Sequence, residues 1–306
     1  MTKIFIDGSA GTTGLRIHER LAAREDIELL TLTEEFRKDE AARREIINKA
    51  DIVYLCLPDD AARQAVTFVN GNTRVIDTST AHRTESGFIY GMPELTGYRE
   101  KIKNAQFVAN PGCHASGFIA LVAPLIESGA LEKNARLSCT SITGYSGGGK
   151  KMIAEYEADN RELLLNAPRH YALSGTHKHQ KEMSVITGLQ NTPIFSPIVA
   201  PFYSGMLVTV PLFKDEVKAQ AEEIKNIYRN YYRGKVIRFS EKTDENGFLS
   251  AVALGGRDDM EISVFGNDDR ILLAARYDNL GKGASGAAIQ NMNIMLGTDE
   301  CSGLVF

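Results

Sequence analysis

Apolar and polar positions follow two regimes along this chain. Over the first hundred residues, short apolar runs alternate with longer amphipathic stretches. Lys3 to Asp7 is an apolar run that stops at Gly8 and reads as a strand. Thr12 to Ala23 reads as a helix, with Leu15 and Leu21 on or near one face. Ile27 to Thr33 reads as strand, Asp39 to Lys49 as a charged helix, and Asp51 to Leu57 as a buried strand stopped by Pro58. Ala61 to Val69 is helical and Thr73 to Asp77 is strand again. Strands separated by helices of roughly 10–15 residues build βαβ units and a parallel sheet. Such sheets take ligands at the carboxyl ends of their strands.

The pattern then changes. A short strand at Phe107 to Ala109 precedes Asn110-Pro111-Gly112-Cys113, and Cys113 to Ser128 is an apolar helix. Strand-like runs follow at Arg136–Thr143, Pro193–Ala200, Met206–Phe213, Val236–Phe239, Ser250–Leu254, Met260–Phe265 and Arg270–Tyr277. One amphipathic helix, Lys214 to Tyr232, interrupts them, and Gly283 to Leu296 is helical again. Successive strands with few helices between them predict a mostly antiparallel sheet. The expected fold class is therefore α/β: an N-terminal Rossmann-type parallel-sheet domain plus an α+β domain with a mostly antiparallel sheet.

Composition narrows the function. The 306 residues suggest about two domains at the usual domain size. Lys plus Arg number 35 against 39 Asp plus Glu, a net charge of −4. With no basic excess to neutralise a phosphate backbone, nucleic-acid binding is not expected. No apolar run reaches the roughly 18 residues of a membrane helix, and Asp7 interrupts the N-terminal run too early for a signal-peptide core. A cytoplasmic location is the expectation. Four cysteines without a CxxC pair offer neither a disulfide framework nor a zinc cluster, so no metal is expected.

Gly8-Ser9-Ala10-Gly11-Thr12-Thr13-Gly14 follows the first strand and opens a helix. Glycines let a backbone turn sharply and approach a pyrophosphate, and the helix start offers free N–H groups and a positive dipole end. Gly8, Gly11, Thr12, Thr13 and Gly14 are the candidate contacts. The segment Thr33 to Lys38 holds both acids and cations, so the residues alone leave NAD and NADP open.

Pro111 and Gly112 break the chain, so Cys113 falls in the first turn of a helix. That setting favours a thiolate, and the same N–H groups can hold an oxyanion. Cys56 and Cys139 lie in apolar strands and Cys301 in the tail; these read as inert small hydrophobes. A thiolate nucleophile needs an acid/base, and Gly175-Thr176-His177-Lys178-His179-Gln180-Lys181-Glu182 is the best candidate. Glu182, one turn after His179, can orient an imidazole. His82 beside Arg83 can also face a cleft. The Gly-rich stretch Thr143 to Lys150, which includes Ser146, reads as a flexible loop able to close over a carboxylate or phosphate.

Taken together, GSAGTTG (8–14), NPGC (110–113), the HxHxxE run (177–182) and the tail DNLGKGASGAAIQNMN (278–293) resemble the N-acetyl-gamma-glutamyl-phosphate reductases of arginine biosynthesis, in their shorter subtype. These belong to the wider semialdehyde-dehydrogenase superfamily, and the resemblance covers nearly the whole chain. It implies a dinucleotide-binding domain of residues 1–112 with 279–306, completed by the returning final helix, and a catalytic domain of 113–278. It implies Cys113 as nucleophile and His177 as acid/base. Arg83, Asn110, Ser146, Lys150, His179 and Glu182 would serve substrate. It implies NADP(H), which favours Arg37 or Lys38 for the 2′-phosphate, with Pro58 and Asn279 as further cofactor contacts and Asn279 at the nicotinamide. The implied partners are a small acyl phosphate and copies of the same chain, as homodimer or homotetramer.

Many relatives carry an aromatic residue after this cysteine, where this chain has His114. That imidazole leaves the acid/base open among His177, His179 and His114. The expected chemistry is thioester formation at Cys113 with loss of phosphate, then reduction to the semialdehyde. Alternatives are another acyl phosphate such as aspartyl phosphate, an inactive NADP(H)-binding sensor, or a thiol hydrolase that ignores nucleotide.

Overall fold

The computed structural model describes residues 1–306. They form two compact units, Met1–Pro111 with Ala284–Leu304, and Gly112–Gly283 with Val305–Phe306. Asn279–Gly283, read from the sequence as part of the first domain, packs with the second.

The first unit runs β1 (Thr2–Asp7), α1 (Thr12–Ala22), β2 (Ile27–Leu30), α2 (Glu40–Lys49), β3 (Ile52–Leu55), α3 (Asp59–Val66), β4 (Arg74–Asp77), β5 (Ile89–Tyr90), α4 (Tyr98–Asn104) and β6 (Phe107–Ala109). The sheet is ordered β2-β1-β3-β4-β6-β5 and every pair is parallel. Chain order reverses at β1, which lies between β2 and β3 and opens a crevice at its carboxyl end. Alternate residues serve the two faces. Ile4, Ile6, Ile52, Tyr54 and Ile76 pack on one side, and Phe5, Val53, Leu55 and Val75 on the other. That is why β3 reads as an unbroken apolar run.

The second unit holds α5 (Cys113–Glu127), β7 (Ser138–Gly144), α6 (Gly149–Glu157), β8 (Arg169–His170), α7 (Lys178–Thr187), β9 (Ile194–Ala200), β10 (Met206–Phe213), α8 (Ala221–Tyr231), β11 (Ile237–Phe239), β12 (Met260–Asn267) and β13 (Arg270–Tyr277). Its seven strands are ordered β11-β12-β13-β10-β7-β9-β8. The sheet is mixed: β11–β12 and β7–β9 pair parallel and the other neighbours antiparallel. α5 is buried on nearly every side. Pro124 within it has no N–H for the Ala120 carbonyl one turn back. The Tyr232 hydroxyl donates to that carbonyl at 2.7 Å, and Tyr228 donates to the neighbouring Leu121 carbonyl at 2.5 Å. The chain returns to the first unit through a π-helical turn at Gly281–Ser285 and ends in α9 (Gly286–Leu296), whose Ala288, Ile289 and Met292 join the core of the first sheet.

Three expected elements differ. Ser250–Leu254 is a run of turns, because its amides bond locally (Gly255 N–H to Val252 O, 2.9 Å) and make no ladder. The expected long helix from Lys214 is a short 3-10 turn, Lys214–Glu216, and then α8. Between them Val217 bridges Leu131, and the Gln220 N–H bonds Glu223 as the true helix start. The Gly-rich stretch after β7 is ordered: a 3-10 turn at Tyr145–Gly148 runs into α6.

Candidate active site

In the first unit the glycine loop turns between β1 and α1 under tight steric control. Gly8 has φ +88°, and a Cβ there would lie 2.3 Å from the Cys56 carbonyl oxygen. A Cβ on Gly14 would lie 2.5 Å from the Gly8 carbonyl oxygen, whereas one on Gly11 would meet only ordinary contacts. Two of the three glycines are thus needed for the turn itself. The first N–H groups of α1 have no intrahelical acceptor, and the buried Thr12 hydroxyl beside them has no hydrogen-bond partner. A cradle of amides with an orphaned hydroxyl suits phosphate oxygens. Next to it a cleft of about 380 Å³ is lined by Gly8, Ser9, Leu30, Glu34, Arg37 and Lys38, among others. Arg37 is exposed and ion-paired with Glu34. Asp7, at the end of β1, is buried. Desolvation pushes its carboxyl up against the opposing pull of Arg43, which bonds it at 2.7 Å. Pro58 is the exposed N-cap of α3.

Arg83 and Asn110 also lie in this unit. The Arg83 Nε donates to the Asn110 carbonyl at 2.9 Å, and a second guanidinium nitrogen donates to the Thr78 carbonyl at 3.1 Å. The loop carrying Arg83 is fixed by buried Asp77, which accepts from Ser79 and meets His82 Nδ1 at 2.6 Å. His82 stacks on Phe88 with centroids 4.2 Å apart.

In the second unit Cys113 is the first residue of α5, half-exposed, with Gly112 as N-cap. The Gly112 N–H donates to Glu182 Oε1 at 2.7 Å, so a buried carboxylate fixes the helix start. The Tyr277 hydroxyl donates to the Cys113 carbonyl at 2.5 Å and accepts from the Gly117 N–H at 3.1 Å. Gly283 borders the cysteine closely, since a Cβ there would lie 3.0 Å from the Cys113 Cβ. Cys56 and Cys139 differ: burial pushes the Cys56 thiol up to about 12 and that of Cys139 higher still.

His177 is the N-cap of α7. Its Nδ1 accepts the His179 N–H at 3.1 Å, and its own N–H bonds the Gln180 side chain at 2.7 Å. The cap fixes the tautomer: a neutral His177 ring carries its proton on Nε2. His177 and His179 are 4.7 Å apart at their ring centroids, and His114 lies 5.8 and 5.5 Å from them. Phe195 closes the cluster at 5.1 Å from His177. His114 is buried and bonded at both nitrogens, Nδ1 to Ser141 Oγ and Nε2 to Tyr171 Oη, each at 2.7 Å. Burial first, and then the proximity of His177, drive its pKa down to about 3. His114 is therefore a neutral ring at physiological pH and unsuited to cycling a proton.

Ser146 and Asn279 lie in the second unit as well. The Asn279 amide joins two loops, donating to Ser146 Oγ at 2.9 Å and accepting the Gly205 N–H at 2.9 Å. Lys150 is exposed in the first turn of α6. Ser141, Tyr171 and Tyr277 went unnoticed in the sequence, as did the fully buried Lys282. Each comes from a different segment, and only Lys282 sits in a motif that could have flagged it. No group of three or more His, Cys, Asp or Glu side chains is arranged to hold a metal ion. No helix is long and apolar enough to cross a membrane.

The chain matches two family models, the semialdehyde dehydrogenase NAD binding domain over residues 33–105 and the semialdehyde dehydrogenase dimerisation domain over residues 113–279. It is 46% identical to N-acetyl-gamma-glutamyl-phosphate reductase 2 of Nostoc sp., over 99% of each chain. It is also 46% identical to the N-acetyl-gamma-glutamyl-phosphate reductase of Sinorhizobium medicae, over 96% of this chain and 98% of that one. Among solved structures it is similar to aspartate semialdehyde dehydrogenase II of Vibrio cholerae in complex with ASA. There the TM-score is 0.71 at 17% identity, covering 97% of this chain and 98% of that one. Aspartate semialdehyde dehydrogenase with NADP from Candida albicans gives a TM-score of 0.68 at 15% identity, covering 98% and 99%. At these identities the structural likeness speaks for the fold.

Proposed function

This chain belongs to the N-acetyl-gamma-glutamyl-phosphate reductase family of semialdehyde dehydrogenases, and from that premise we propose that it reduces N-acetyl-gamma-glutamyl phosphate to N-acetylglutamate semialdehyde with release of phosphate, in arginine biosynthesis. The observation that carries the proposal is Cys113 at the start of a buried helix, in the same unit as an imidazole whose tautomer is fixed by its own helix cap.

The Cys113 thiolate attacks the acyl carbon. A carbon–sulfur bond forms, the carbon–oxygen bond to phosphate breaks, and phosphate leaves with the electron pair. The α5 dipole and first-turn N–H groups favour the thiolate and hold the oxyanion that develops on the carbonyl. When bound, NADPH supplies the hydride. His177 acts through the proton that its cap leaves on Nε2: that N–H donates a hydrogen bond to the thiolate and then to the substrate oxygen as charge builds there, and sulfur departs from the aldehyde as the thiolate. Glu182 steadies the residue before the nucleophile, and His179 packs against the His177 ring. Arg83, Asn110, Ser146 and Lys150 serve substrate in this reading.

The cradle of Gly8, Gly11, Thr12, Thr13 and Gly14 fits an anionic dinucleotide, because its orphaned hydroxyl and free amides call for phosphate oxygens. Arg37, or Lys38 beside it, would take the 2′-phosphate, with Pro58 and Asn279 completing the contacts. The dimerisation domain matched over 113–279 supports a homodimer or homotetramer, and the family chemistry a cytoplasmic enzyme.

The test runs the reaction backwards, which avoids the labile acyl phosphate. N-acetylglutamate semialdehyde plus phosphate should reduce NADP, aspartate semialdehyde should not, and Cys113→Ala should bind NADPH without turnover. Full activity of Cys113→Ala, or a preference for aspartate semialdehyde, would overturn the proposal.

A further inference from the structure

Cys113 and Gly117 stand four residues apart in α5, the spacing at which a helical N–H donates to a carbonyl. The Tyr277 hydroxyl bridges these two groups: it donates to the Cys113 carbonyl at 2.5 Å and accepts the Gly117 N–H at 3.1 Å. Both directions are fixed, because a carbonyl only accepts and an amide N–H only donates. Gly117 makes the room. A Cβ there would lie 2.7 Å from both the Tyr277 oxygen and Val208 Cγ2, and 2.9 Å from Tyr277 Cε1. Glycine weakens a helix interior, so its use at this buried position is the space it leaves. The segment that follows Tyr277 also reaches the cysteine side chain. The Asp278 carboxylate accepts the Leu280 and Gly281 N–H groups at 2.7 and 2.8 Å and turns the chain. Gly283 then borders Cys113, where an added Cβ would stand 3.0 Å from the Cys113 Cβ. One segment thus holds the carbonyl of Cys113 at one end and limits its Cβ at the other.

We propose that Tyr277 is a positioning residue: its hydroxyl, bridging the Cys113 carbonyl and the Gly117 N–H, aims the Cys113 sulfur at an acyl carbon whose oxygen rests on the first-turn N–H groups of α5. The inference rests on the reading of Cys113 as the nucleophile. Burial pushes the Tyr277 phenol well above its ordinary range, so the proton that holds the carbonyl stays on oxygen. A side chain inserted beside the i→i−4 ladder changes the path of the turn around it. Without the hydroxyl, the Gly117 N–H and the Cys113 carbonyl can bond each other as in an ordinary helix. The fold then survives, while the turn that carries the sulfur closes up. Tyr277 therefore acts on the direction of the thiolate and leaves its charge alone.

Two reagents that need neither NADPH nor acyl phosphate separate direction from charge. Iodoacetamide alkylates a thiolate without forming an oxyanion, so its pH profile reads charge and access. 4-Nitrophenyl acetate acylates through an oxyanion: sulfur bonds the acetyl carbon and nitrophenolate leaves with its electron pair. Its burst therefore reads the alignment of sulfur with the N–H groups. Tyr277→Phe should slow the burst roughly ten- to a hundredfold, with alkylation within about twofold of the parent at every pH and the urea midpoint near the parent's. Gly283→Ala, which crowds the Cys113 Cβ, should slow the burst in the same way. A burst in Tyr277→Phe as fast as the parent's, equal slowing of both reactions, or a urea midpoint that falls in step with the burst would overturn the inference. A parent with no burst, or a Cys113→Ala protein with the same burst, would fault the nucleophile reading and the inference with it. Inactivity on N-acetylglutamate semialdehyde beside the expected burst pattern would fault only the substrate reading.

Discussion

Removing the Glu182 carboxylate should disturb Cys113, the proposed nucleophile, through the residue before it. Gly112 is buried and its N–H donates to Glu182 Oε1 at 2.7 Å; Glu182 itself is 2% exposed. A hydrogen bond to a charged group contributes about 1.5–3 kcal/mol, and stranding the buried donor forfeits that. Glu182→Ala should therefore destabilise the second unit by at least about 2 kcal/mol. Glu182→Gln keeps a carbonyl acceptor at the same reach and gives up only the charge, so it should lose roughly half as much. The effect on rate is separable. Gly112 precedes Cys113, and a misplacement near 1 Å can cost about a hundredfold. Urea unfolding followed in the second unit reads the first quantity, and turnover at saturating substrate reads the second. A Glu182→Ala variant within about 0.5 kcal/mol of the parent, or a Gln variant as unstable as the Ala variant, would refute the assignment of that bond.

Asn is among the best N-caps, so His177→Asn should leave stability nearly unchanged while slowing turnover by about 10²–10⁴-fold. His179→Asn should slow it less, and the reverse order would move the acid/base role. In Gly8→Ala the new Cβ meets the Cys56 carbonyl at 2.3 Å in a left-handed backbone, so calorimetry should show weakened NADPH binding and a cost of roughly 1–3 kcal/mol in stability. Unchanged binding there would refute the tight turn. His114 is held neutral down to about 3, whereas the unfolded chain takes up the proton near 6.5. The unfolded state then binds more protons between those values, so stability falls as pH falls: by about 2 kcal/mol between pH 7 and 5 from this group alone. The urea midpoint of His114→Phe should drop less over that interval than the parent's, and parallel curves would contradict the burial argument.

The parts legible in the sequence are those whose demands are local. Gly8, Gly14, Pro111, Gly112 and the His177 cap each answer a backbone requirement within a few residues, so spacing alone exposes them. β1 to β4 were readable because alternation and fully apolar runs report burial directly. The rest depends on partners distant in sequence. Tyr277 reaches the Cys113 carbonyl from 164 positions away, and Ser141 meets His114 across 27. No local signature marks either tyrosine or serine. Ser250–Leu254 has a strand's composition, but Gly256, at φ +83°, ends a segment whose amides turn back on themselves. The parallel pairing of β7 with β9 depends on which strands become neighbours, and composition does not record that.

The return of α9 to the first unit has a consequence for biogenesis. The apolar face made by Ile4, Ile17, Ile52, Tyr54 and Ile76 is closed by Ala288, Ile289, Met292 and Met295, which leave the ribosome only after all but two residues of the second unit have been made. The dinucleotide sheet must therefore wait, one face open, while the chain behind it is translated. The second unit has all but its last two residues by Gly283 and can collapse first. A nascent chain stalled shortly before α9 would hold a folded second unit and a sticky, unfinished first sheet, which makes that interval the natural window for a chaperone.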